Sequence, residues 1–101
     1  MADSVSITTP VAGGQVPVIG GSVSVTAHVT TDHVVQSVVA QRVGGTGTTP
    51  LNPVGSGNYS NMVPGIPLGA FEIKVTARLT EKGAEVATVT DTQSYTGVNG
   101  P

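Results

Sequence analysis

The chain has 101 residues, enough for one domain with a single core. Charged residues make up 10% of it, against roughly 25% in ordinary soluble domains. A net charge of −2, with Arg42, Lys74, Arg78 and Lys82 as the scattered bases, excludes the basic patch that nucleic-acid binding leans on. No apolar run is long enough to span a bilayer, and the absence of cysteine removes disulfides and thiol chemistry.

In chain order, Met1–Ser4 shows no signal peptide, having neither a basic nor an apolar region. Ser4–Thr9 alternates with Val5 and Ile7 on one face and ends at Pro10, which predicts an edge strand. Val11–Gly21, interrupted by Pro17 and two glycine pairs, reads as loop with at most a short strand. Ser22–Thr30 alternates again, with Val23, Val25, Ala27 and Val29 inward, and Thr31-Asp32-His33 forms a turn. In Val34–Val43 both parities are apolar, so the strand is either buried on both faces or carries a bulge. After the Gly44–Thr49 loop, Pro53 holds any short strand around Leu51 at an edge. Gly55–Gly57 turns into Asn58–Val63, with Tyr59 inward, and Pro64–Gly69 makes a corner.

Phe71–Thr80 is the clearest element. Phe71, Ile73, Val75, Ala77 and Leu79 share one face, and Glu72, Lys74, Thr76, Arg78 and Thr80 share the other. Glu81-Lys82-Gly83 is a hairpin signal. Ala84–Tyr95 returns as a threonine-rich last strand, kinked at Asp91, before a flexible tail over 96–101. About seven strands without a helix predict an all-β, antiparallel sandwich with an ordered core over 4–95, a small closed barrel being the alternative. Chain 1–101 is thus read as one domain.

Several blocks resemble bacterial immunoglobulin-like domains, in the loose group that includes fibronectin type III. They are Ile7–Pro10, Gly13-Gly14, Gly21–Ala27, Gly57–Ser60, Leu68–Phe71, Val75–Arg78 and Lys82–Ala84, together spanning nearly the whole chain. The lack of a cysteine pair and of tryptophan departs from antibody-type domains. Phe71 stands near where fibronectin-like domains often carry a corner tyrosine. The resemblance implies an immunoglobulin-like fold and a non-enzymatic module for adhesion, spacing or particle surfaces. It carries over no site residue.

Chemistry finds little to stand on. His28 and His33, beside Asp32, lack a third nitrogen or a thiolate for zinc, so a structural turn is the expectation. Asp3, Asp32, Glu72, Glu81, Glu85 and Asp91 are read as solvated charge keeping sheet faces and edges apart. Neither a Gly-x-Ser-x-Gly elbow nor a lysine-terminated phosphate loop occurs. Tyr59 and Tyr95 fit packing better than sugar stacking, and Asn58-Tyr59-Ser60 is a glycosylation sequon relevant to a eukaryotic secretory route. No catalytic, cofactor-binding or metal residue is assigned.

Surfaces, loops and termini would then do the work. The leading expectation is a virion (bacteriophage) decoration or surface structural protein whose partner is a capsid or other lattice. The alternatives are an extracellular or cell-surface adhesion or carbohydrate-binding module, and a spacer. The weakly charged, threonine- and serine-rich composition fits particle-bound or extracellular life.

Overall fold

The computed structural model describes residues 3–9, 13–18, 20–45 and 47–99. Nine strands and no helix lie among them: β1 (Ser4–Thr9), β2 (Gln15–Val18), β3 (Val23–Thr30), β4 (Val34–Arg42), β5 (Thr49–Pro50), β6 (Asn52–Gly55), β7 (Asn58–Val63), β8 (Gly69–Glu81) and β9 (Ala84–Asn99). They form two sheets, ordered β1-β3-β7-β6 and β2-β9-β8-β4-β5. This is an immunoglobulin-like β-sandwich and not a closed barrel. The role expected of Pro10 falls outside the described residues.

Alternating valines explain the layers. Val23, Val25, Ala27 and Val29 from β3 meet Ile73, Val75, Ala77 and Leu79 from β8 in one core, all of them buried. These branched and small side chains suit a pleated surface. Between two sheets they fill the gap without a tryptophan. The one ring pair, Phe71 and Tyr95, has centroids 5.6 Å apart.

The doubly apolar segment resolves as a bulge. Val35 pairs with Leu79 and Val38 with Ala77, so the register shifts between Val35 and Ser37, and Val35 and Val38 both face the core. Pro53 sits in β6, at one edge of the first sheet, and β1 forms the other edge. Both two-residue hairpin turns, Ser56-Gly57 and Lys82-Gly83, have positive φ at each position, as turns that follow strand twist require.

The segment read as loop with at most a short strand holds one, the four-residue β2; against the expected antiparallel pairing it runs parallel to β9, with Gln15 opposite Thr96 and Val18 opposite Asn99. Pro17 is tolerated because β2 is an edge strand. That pairing also extends β9 to Asn99, so 96–99, expected as tail, is strand. Finally, β9 passes Asp91 in unbroken register with β8; its irregularity lies opposite Leu79 and Thr80, at Val86.

Candidate functional site

The two outer faces differ in charge. No Asp, Glu, Lys or Arg occurs in β1, β3, β6 or β7, the whole of the first sheet. Apart from the exposed Met62 and Val54, its outward positions are small and polar: Ser6 is opposite His28, which is opposite Asn58, and Thr26 is opposite Ser60. They bond to one another. Thr26 Oγ1 donates to Ser60 Oγ at 3.1 Å, and His28 Nδ1 lies 3.1 Å from Asn58 Oδ1. The second sheet instead exposes Glu72, Lys74 and Arg78 among the hydroxyls of β9, and Ser94 Oγ donates to Glu72 at 3.2 Å.

His33 is separate from His28. It sits where β1 begins and β8 ends, with Nε2 3.8 Å from Asp3 Oδ2 and Nδ1 3.9 Å from Glu81 Oε1. Its Nδ1 is buried without a hydrogen-bond partner among the described residues. Thr31 organises the turn: its Oγ1 donates to Asp3 Oδ1 at 2.7 Å and accepts the His33 backbone N–H at 3.0 Å. Among the described residues no group of three or more His, Asp or Glu side chains is placed to hold a metal ion.

Two polar clips cross between the sheets. Asp91 is half-buried on the core-facing side of β9. Its Oδ2 accepts the Ile7 backbone N–H of β1 at 2.8 Å, and its Oδ1 accepts Gln93 Nε2 at 3.0 Å. Asn61, on β7, donates from Nδ2 to the Pro50 carbonyl of β5 at 2.8 Å. Asp91 is therefore not the solvated charge expected from the sequence: its carboxylate satisfies an edge-strand donor. A signal existed, since Val89, Asp91, Gln93 and Tyr95 share one parity, and a charge on an inward parity needs a partner.

The remaining carboxylates are peripheral. Glu72, Glu81 and Glu85 are exposed, Glu85 accepting from Thr88 Oγ1 at 3.2 Å. Tyr95 is buried, and Tyr59 is half-buried against the core, so neither presents a ring face for stacking on a ligand. Burial, helped by the nearby Asp91 carboxylate, pushes the Tyr95 hydroxyl up to about 12.

No family model matches the chain, and no curated protein matches it. Solved structures do. An endo-β-1,4-mannanase from Thermotoga petrophila is similar over 98% of this chain and 20% of its own, with 21% identity and a TM-score of 0.76. A modular endo-β-1,4-mannanase from Cellulomonas fimi is similar over 96% of this chain and 19% of its own, with 20% identity and a TM-score of 0.71. The fibronectin(III)-like modules of Clostridium thermocellum CbhA are similar over 92% of this chain and 93% of their own, with 21% identity and a TM-score of 0.63. The chain thus spans about a fifth of the mannanase chains and nearly the whole of the fibronectin(III)-like one. At these identities the likeness establishes the fold: a fibronectin(III)-like sandwich.

Proposed function

We propose that the chain is a non-enzymatic spacer module, carried in series within a longer extracellular or surface-attached polypeptide. One observation carries the reading: the described chain begins and ends at opposite poles of an elongated body. Asp3 lies beside His33, which lies beside Glu81 at the far end of β8. At the other pole Gly97 pairs with Gly69, the first residue of β8, and Asn99 pairs with Val18. The 13 residues of β8 span roughly 40 Å at about 3.3 Å each, close to the 45 Å long axis. A body threaded pole to pole adds its full length to any chain that contains it. A polypeptide entering and leaving at one pole would add almost none.

Two further facts support the reading. The mannanase chains contain a similar sandwich as a fifth of their length. Low charge with abundant serine and threonine suits life outside the cytoplasm.

Small-angle scattering on two copies joined by a short linker tests it. The expected maximum dimension is about 90 Å, twice the 45 Å long axis. A particle no longer than one module would overturn the spacer. Sedimentation velocity on the single chain adds a second check. A monomer is expected, whereas discrete higher assemblies would favour the virion-lattice role and its capsid partner.

A further inference from the structure

The spacer reading leaves the uncharged sheet face without a use. All four basic and six acidic residues of the chain lie outside β1, β3, β6 and β7. Solubility is served by charge, so a whole sheet without it calls for an explanation. At its centre the outward side chains Ser6, Thr26, His28, Asn58 and Ser60 are short hydroxyl, imidazole or amide groups. Such groups lose little rotamer freedom when covered, unlike lysine or arginine. Across these five positions the layer stays level, because none of them carries a long side chain; Met62 and Val54 are the exposed apolar groups beside it.

From this face we infer a binding surface for a neutral, extended polysaccharide ribbon, held by hydrogen bonds. The competing partners fit worse. Nucleic acid requires cations the face does not have. Four strands at about 4.8 Å spacing and six residues at about 3.4 Å make a face of roughly 400 Å², half the ~800 Å² per partner of a standard protein interface. It also has no exposed aromatic or arginine to anchor a protein, its exposed large apolar side chains being Met62 on β7 and Val54 on the edge strand β6. A charged polymer would be stripped of water against a surface that offers no counter-charge. A neutral polyhydroxylated chain has no such cost, and each of its repeats offers donors and acceptors to hydroxyls that both donate and accept. Because the ligand repeats, weak contacts add by avidity along the polymer. The mode is hydrogen bonding and not ring stacking, since Tyr59 and Tyr95 point into the core.

The test is depletion of the full chain from solution by insoluble β-1,4-mannan and, separately, by cellulose, from low to high salt. Binding to at least one polymer, insensitive to salt, is expected. In the double variant Thr26→Val/Ser60→Ala both partners of one hydroxyl pair leave together, so folding is little affected while about tenfold of the partition is lost, the equivalent of one net hydrogen bond. Ser60→Arg, which raises a long side chain above the plane, abolishes binding with an unchanged melting profile. Thr76→Val/Thr90→Val makes the same chemical change to an opposed pair on the charged sheet and leaves binding intact. Failure of both polymers to deplete the protein overturns the inference, as does equal loss in the two double variants or binding that disappears with salt. An extended tandem particle in scattering together with no depletion would refute this surface alone and leave the spacer standing.

Discussion

Asp91→Ala probes the contact that joins the two sheets at the edge strand. The carboxylate accepts a backbone N–H from Ile7 at 2.8 Å and an amide N–H from Gln93 at 3.0 Å. Hydrogen bonds to charged groups are worth about 1.5–3 kcal/mol net, and Asp91 is only half-buried, so about 2 kcal/mol is the expected loss. Gln93 can turn to water, whereas the Ile7 amide belongs to a buried residue of an edge strand. At about 4–8 °C per kcal/mol for a domain near this size, Tm falls by roughly 8–15 °C. Asp91→Asn keeps an oxygen for Ile7 and loses the charge, so it costs about half as much. Thermal melts give the global number. Amide exchange gives the local one, with the Ile7 N–H exchanging faster in Asp91→Ala at conditions where the core of β8 stays protected. A stability change below about 0.5 kcal/mol with Ile7 still protected would refute the argument that this carboxylate holds β1 to the second sheet.

Three other outcomes are expected. A Cβ on Gly97 would come within 2.5 Å of the Pro67 carbonyl oxygen and 3.0 Å of Val18 Cγ2, so Gly97→Ala costs about 2–3 kcal/mol by denaturant titration; a neutral result would mean the corner moves freely. Lys82 holds φ of 54° in the β8–β9 turn, so Lys82→Asn gains about 0.5–1 kcal/mol, read as a raised urea midpoint with unchanged slope, and a lowered midpoint would contradict the strain. The Tyr95 hydroxyl is raised to about 12 from 10.0, so its contribution is fully present below pH 10 and is lost as pH climbs toward 12, because the unfolded chain releases the proton first. The hydroxyl is only partly shielded, so solvent screening leaves about 1 kcal/mol in that window, and a Tyr95→Phe variant whose alkaline loss equals that of the parent would show the tyrosine is not responsible.

Much of this protein was legible in local pattern. The alternation of β3 and β8 follows from side chains pointing to opposite faces on successive residues, a rule that needs no partner strand. Pro53 at an edge and the Lys82-Gly83 turn follow from a missing donor and from positive φ, both properties of single residues. Even the bulge in β4 showed in its doubled apolar parity, because a register shift is written into which positions are apolar.

Tertiary structure decided what depends on distant residues meeting. Asp91 and Ile7 lie 84 residues apart, and no local pattern says which amide a carboxylate will find. The parallel pairing of β2 with β9 turned an expected tail into strand, since four short residues interrupted by Pro17 acquire a register only from their neighbour. The uncharged face was present in the sequence as separate stretches without charge. It becomes one surface only when β1, β3, β6 and β7 pair, because strand order is set by the folded topology and not by residue type.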